Sequence, residues 1–208
     1  SYASFRSSFA LVHIDVLHVL GRIGILAAQS ELLGRLDLRV ALGIQLVALG
    51  GGHQLQLNSV SKDVLLDAYS GIGTIGIIAS DYVKQVQGIE YNASAVRDAV
   101  KNCHENGLTR NIAFNRGDAG EFLEKKAKLG THYDAVILDP ARTGADRKFL
   151  NSLVKIAPER IVYISCNPAT QARDLKTLTK KYTVTDIQPF DMFPHTRHVE
   201  CVVVLRTN

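Results

Sequence analysis

From Asp63 to Arg206 the chain alternates between short apolar runs and longer stretches with helical spacing. The runs in DVLLDAY, KQVQGIEYN, NIAFNRGD, YDAVILDP and RIVYISC read as strands. Each is followed by a helical stretch: GIGTIGIIASDYV, ASAVRDAVKNCHENG, AGEFLEKKAKLG, RKFLNSLVKIAP and ATQARDLKTLTKK. YTVTDIQPFD and HVECVVVLR then close the sequence as two more strands. Strands joined by helices must pair in parallel through crossovers, so the pattern predicts an α/β fold with a doubly wound, mostly parallel sheet. Sheets of this kind place ligand sites at the carboxyl ends of their strands. Tyr69, Glu90, Asp139 and Cys166 all fall at such ends.

The chain changes character near residue 60. No lysine precedes Lys62, and the early part is rich in Leu, Val, Ile and Gly. Leu36, Leu38, Val40, Leu42, Ile44 and Leu46 alternate as one side of a strand, and Gly50-Gly51-Gly52 is a flexible break. The expected division is an N-terminal segment of residues 1–60 and a regular domain of residues 61–208.

Composition narrows the partners. The formal net charge of +4 suits a polyanion without requiring one. The three cysteines, Cys103, Cys166 and Cys201, form no C-x-x-C pair, so neither a metal nor an iron–sulfur cluster is expected. Their odd number argues against a disulfide framework and for a reducing, cytoplasmic setting. No signal peptide is expected, and Asp37 and Arg39 interrupt the apolar region from Leu36 to Leu49, so no membrane association is expected either.

Gly71, Gly73 and Gly76 spell G-x-G-x-x-G, with Glu90 downstream. That spacing suits a dinucleotide, with the acid on ribose hydroxyls, and a nicotinamide oxidoreductase is one reading. The same loop suits S-adenosylmethionine. Asp67, inside the strand before the glycines, favours the second reading, because dinucleotide folds more often run apolar into the first glycine. Asp118, at the end of the third strand, is placed either to meet an adenine amino group or to cap the following helix.

The thiol of Cys166 stands where a strand breaks into Asn167-Pro168. A following helix would aim its positive end at the thiol and favour thiolate. Glu200 lies in HVECVVV, where a charge is costly without a partner or a task, although a surface position at the strand start is the plainer reading. In a regular strand Cys201 would face away from Glu200 and, like Cys103, fill core. His195 and His198 lie close to Glu200 in sequence and suggest orientation of its carboxylate or contact with a polyanion's phosphate.

With LDAYSGIGT, ILDPAR, SCNPATQARDL and FPHTRHVE in this order, the stretch from Asp63 to Arg206 resembles the catalytic domain of the S-adenosylmethionine-dependent RNA (uracil-5-)-methyltransferases. The details are most similar to the bacterial enzymes acting on 23S ribosomal RNA. The resemblance implies a seven-stranded, Rossmann-like class I methyltransferase sheet, S-adenosylmethionine as cofactor, and RNA as partner, ribosomal rather than transfer RNA. It makes Cys166 the nucleophile and Glu200 the general base. Asp139 positions the uracil beside the cofactor, and Arg142 orients the nucleotide or its phosphate. Tyr69, Thr74 and Glu90, with the turn at Gly71 and Gly73, line the cofactor pocket. Gln56, in QLN, resembles the family's Gln-x-Asn cofactor contact.

Some positions depart from the family pattern. Ser70 stands where Cys is usual, and Ala141 where a second Pro is usual. Asn58 is followed almost directly by Val64, where the family has a longer helical connection. Residues 1 to 52 resemble neither the family's N-terminal RNA-binding barrel nor its cluster-binding cysteines. A non-catalytic RNA- or cofactor-binding remnant therefore stands as the other alternative.

Overall fold

The computed structural model describes residues 62–108, 110–191, 195–196 and 199–208. The N-terminal alternation, Gln56 and His198 lie outside these residues. Five strand–helix units follow one another: β1 (Val64–Ala68), α1 (Thr74–Ala79), β2 (Gln85–Glu90), α2 (Ala93–Glu105), β3 (Ile112–Arg116), α3 (Ala119–Lys128), β4 (Ala135–Leu138), α4 (Arg147–Ile156), β5 (Arg160–Ser165) and α5 (Pro168–Leu178). The strands β6 (Tyr182–Phe190) and β7 (Glu200–Thr207) complete a seven-stranded sheet of order β3-β2-β1-β4-β5-β7-β6. The first five strands pair in parallel. β7 enters antiparallel between β5 and β6, so the expected doubly wound sheet is present with a single reversed strand between parallel neighbours. Among the described residues no helix is long and apolar enough to cross a membrane.

The apolar runs are continuous because both faces of the central strands are covered. On one face Leu66, Val136, Leu138, Tyr163 and Val203 pack with α3 and α4 through Leu123, Phe149 and Leu153. On the other, Leu65, Val86, Ile137, Val162, Ile164 and Val202 pack with α1 through Ile75 and Ile78. This alternation assigns faces to the polar strand ends. Asp67 follows the parity of Leu65, Glu90 that of Val86, Asp139 that of Ile137, Cys166 that of Ile164, and Glu200 that of Val202. All five belong to the α1 face, at one edge of the sheet. Cys201 packs in the opposite core cluster and Cys103 is buried on α2, as their patterns predict.

Element boundaries differ from the sequence reading by a few residues, and two of the differences have a visible cause. α1 stops at Ala79 instead of running toward Val83. The Ser80 hydroxyl bonds back to the Ile77 carbonyl at 2.7 Å, and Asn111 takes the Ser80 carbonyl at 2.7 Å. These contacts satisfy the groups that would otherwise continue the helix. α5 begins at Pro168, one residue earlier than read, because proline suits the first helical position and Asn167 caps it through the Ala169 N–H.

Gln171 of α5 is 2% exposed and joins the two strands on which the reversed edge depends. Its Nε2 donates to the carbonyls of Tyr163 in β5 and Cys201 in β7, at 2.9 and 3.1 Å. Gln171→Leu removes both bonds at nearly constant volume. The expected outcome in urea titration is a loss of about 1–3 kcal/mol of unfolding free energy, with an unchanged far-ultraviolet spectrum.

Candidate active site

The antiparallel register sets the first feature of the site. Ser165 pairs with Cys201 and Phe190 with Glu200. One step further out, Cys166 comes opposite Glu200, on the same face. Directly opposed residues in such a pair have Cβ atoms about 4.5–5.5 Å apart. Glu200 is 1% exposed, which excludes the surface position its sequence also allowed. Cys166 is half-buried.

The thiol is not activated in the resting site as the helix end alone would suggest. Burial pushes its pKa above the ordinary value, and Glu200 and Asp139 push it further; Arg142 acts in the opposite direction. Those interactions place the thiol, both carboxylates and the guanidinium in one neighbourhood. Asp139 follows β4, with its N–H near the Ala68 carbonyl at 3.4 Å. Arg142 lies three residues beyond, in the exposed connection to α4.

The second feature is the glycine turn after β1. Tyr69, Gly71 and Gly73 all have positive φ, at 60°, 54° and 86°. Gly73 allows a close approach: a Cβ there would lie 2.6 Å from Cζ of Phe114. Glu90 holds the turn from β2, accepting the Gly71 N–H at 3.0 Å and the Asn92 N–H at 2.7 Å through different oxygens. Tyr69 turns its ring onto Phe149, centroids 5.3 Å apart, and so contributes to the core beneath the site. Asp118 caps α3 by accepting the Glu121 N–H at 2.9 Å, so its capping role is realised. It also sits beside Gly117, whose N–H donates to the Glu90 carbonyl at 2.9 Å. His195 is exposed at φ 69°.

Asp67 is completely buried, and its Oδ2 accepts the Gly76 N–H at 2.9 Å. Its pKa is pushed up to about 7, chiefly by burial; the Gly76 bond opposes the rise, and Asp139 and Glu90 add to it. Three carboxylates therefore converge on the α1 face. A pyrophosphate would meet them unfavourably, whereas a cation would relieve them. Asp67 Oδ1, Ser70 Oγ and Thr74 Oγ1 are buried without a hydrogen-bond partner among the described residues. Buried polar atoms ordinarily have partners, so the turn fits a polar, positively charged ligand.

The sequence reading missed the way α5 holds the loop carrying Arg142. Asn167, Thr170, Arg173 and Asp174 all bond main-chain groups of residues 142–145. Their spacing of three, three and one puts them on one side of a helix, but nothing in that spacing names the loop they grip.

The sheet order and the polar edge define the class I methyltransferase fold. TrmN from Thermus thermophilus shares this fold at TM-score 0.59 and 17% identity, covering 81% of this chain and 49% of that chain. The profile of the family described as tRNA (uracil-5-)-methyltransferase matches residues 52–208, and the chain belongs to that family. An RNA methyltransferase of Bacillus cereus, itself uncharacterised, is 44% identical over 144 residues, 69% of this chain and 31% of its own. One from Enterococcus faecalis is 46% identical over 145 residues, 69% of this chain and 32% of its own. This chain thus spans about a third of the curated relatives it matches. The tRNA (uracil-54, C5)-methyltransferase of Pyrococcus abyssi, solved with S-adenosyl-L-homocysteine, is 33% identical at TM-score 0.62, covering 80% of this chain and 38% of that chain.

The raised Asp67 pKa has a signed consequence. Between about pH 4 and 7 the folded chain holds a proton that the unfolded chain has released. Stability must therefore fall as pH rises through that window. Asp67→Asn removes this dependence. The stability difference between Asp67→Asn and wild type is expected to shift in favour of the variant, by on the order of 3 kcal/mol, from pH 4 to pH 7.5. Parallel urea titrations at several pH values check it; a constant difference refutes the assignment.

Proposed function

We propose that this chain is the catalytic part of an RNA (uracil-5-)-methyltransferase that uses S-adenosylmethionine. The observation that carries the reading is the opposition of Cys166 and Glu200 across β5 and β7, with Asp139 and Arg142 beside them. The cofactor, when bound, supplies a methyl group on a sulfonium centre. Its positive charge suits Asp67, Glu90 and Asp139, and Ser70 and Thr74 offer it buried hydroxyls. Glu90 is positioned for the ribose, and Asp118 retains a second carboxylate oxygen for the adenine amino group.

Carbon 5 of uracil is a poor nucleophile, and the chain's task is to raise its electron density. Cys166 adds as thiolate to carbon 6 and forms the sulfur–carbon bond, which makes an enolate that is nucleophilic at carbon 5. The raised thiol pKa means that ionisation needs positive charge nearby, and Arg142 supplies it from the chain. Asp139 orients the ring. After methylation, Glu200 removes the carbon 5 proton; the electron pair reforms the carbon 5–carbon 6 double bond and the thiolate leaves. The products are a 5-methyluridine, the demethylated cofactor and one proton. The target nucleotide must leave its stack to reach a half-buried thiol, so a looped or extruded uridine is the substrate form. Ribosomal RNA is favoured over transfer RNA by the motif details, and methyl incorporation into 23S and transfer RNA substrates compared side by side decides between them.

RNA containing 5-fluorouridine blocks proton removal and should trap a covalent complex with wild type, seen as a denaturation-resistant band. Cys166→Ala should trap none; equal trapping by this variant would falsify the mechanism. Glu200→Gln should form the adduct on ordinary RNA yet turn over at least a hundredfold more slowly, on the scale of a lost general base. An unchanged kcat in single-turnover and steady-state assays would remove Glu200 from the reaction.

A further inference from the structure

We propose that the first two turns of α5 are a clamp that positions Arg142 relative to Cys166, with Thr170 and Asn167 as positioning residues. The inference rests on the reading of Cys166 and Arg142 given above. Two side chains converge on one carbonyl: Asn167 Nδ2 donates to the Arg142 oxygen at 3.0 Å, and Thr170 Oγ1 lies 3.1 Å from it and 3.0 Å from the Asn167 carbonyl, its one proton shared between the two. Arg173 Nη2 donates to the Thr143 carbonyl at 2.8 Å. The Ala145 N–H donates to Asp174 Oδ2 at 2.9 Å. Asp174 is itself fixed, accepting from the Tyr163 hydroxyl at 2.6 Å and from Arg173 Nε at 2.9 Å.

The main chain is shaped for this contact. Gly144 has φ 79°, and its N–H closes a turn onto the Ala141 carbonyl at 2.8 Å. A Cβ on Gly144 would lie 2.5 Å from Asp174 Oδ2, 2.6 Å from Arg173 Nη2 and 3.2 Å from Thr170 Cβ. Glycine is needed here both for the left-handed backbone and for the close approach to the helix. The residues that grip the loop and the thiol they serve are thus adjacent in sequence: Cys166 directly follows β5, and the clamp begins at Asn167. The loop main chain is held from the α5 side, and Arg142 is the residue of that loop whose charge favours the thiolate. Among the described residues, the charged groups acting on Cys166 are Glu200 from β7, Asp139 after β4 and Arg142 from the loop.

A clamp that acts through Arg142 differs from general packing in one measurable way. The rate of Cys166 alkylation by iodoacetamide reports the thiolate fraction, and peptide mass spectrometry separates this site from Cys103 and Cys201. It needs neither RNA nor cofactor. Arg142→Gln should slow alkylation at pH 7.5 by roughly three- to tenfold, and Thr170→Val by roughly two- to fivefold. The double variant Thr170→Val/Arg142→Gln should be no slower than Arg142→Gln alone, because the hydroxyl acts through the guanidinium. Thr170→Ser should retain the wild-type pH profile. Gly144→Ala, which breaks the contact from the loop side, should behave as Thr170→Val does and takes its place if that variant does not fold.

Multiplying effects in the double variant, a wild-type rate in both Thr170→Val and Gly144→Ala, or equal slowing by Thr170→Ser and Thr170→Val, would overturn the clamp. A chain that passes this cycle but traps no 5-fluorouridine RNA overturns the reaction and leaves the clamp standing. One that traps RNA but fails the cycle overturns the clamp alone.

Discussion

The insertion of β7 between β5 and β6 is the constraint on which the site depends. A parallel sheet alone would place Cys166 at an edge with no acid across from it. The reversed strand brings its first residue to the place where β5 ends, and the Ser165–Cys201 pairing sets Cys166 against Glu200. A slip of one residue would send Glu200 to the opposite face and put Cys201 in its place. Gln171 opposes such a slip by bonding carbonyls of both strands.

Electrostatics then divides the edge into two regions. Around the glycine turn, Asp67, Glu90 and Asp139 gather, and Asp67 holds its proton toward neutral pH, chiefly because it is buried and further because of the other two carboxylates. Around the thiol, Glu200 and Asp139 disfavour thiolate and Arg142 favours it. Asp139 belongs to both regions. A charge near the turn and the ionisation of the thiol therefore act on each other through one shared carboxylate.

Much of this was legible in the sequence because it depends on burial and chain order. Continuous apolar runs separated by helical stretches identify strands covered on both faces, and the polar residues that end them mark the functional edge. The parity that sends Glu200 and Cys201 to opposite faces was also readable. The end of α1 was not, because Ser80 is held by Asn111 from a distant segment. The burial of Glu200 was not readable either, because it depends on where β7 pairs in the sheet, a long-range property. The thiol expectation was reversed because a helix end is a local property, whereas the burial that raises the thiol pKa, and the two carboxylates that add to it, come from other segments of the sheet. The grip of α5 on the Arg142 loop joins residues about 30 positions apart, which spacing along one helix does not disclose.

The strand order has a further consequence for how the chain reaches this arrangement. β7 is the last strand in sequence but an interior one in space, and β6, made before it, lies outside it. Until the β6–β7 hairpin docks, β5 presents an open, apolar edge of unpaired peptide groups. Such an edge is a template for pairing with other chains. The same docking event both seals that edge and completes the Cys166–Glu200 pair. Molecules that have not finished assembling are therefore at once the most prone to aggregate and the least able to react.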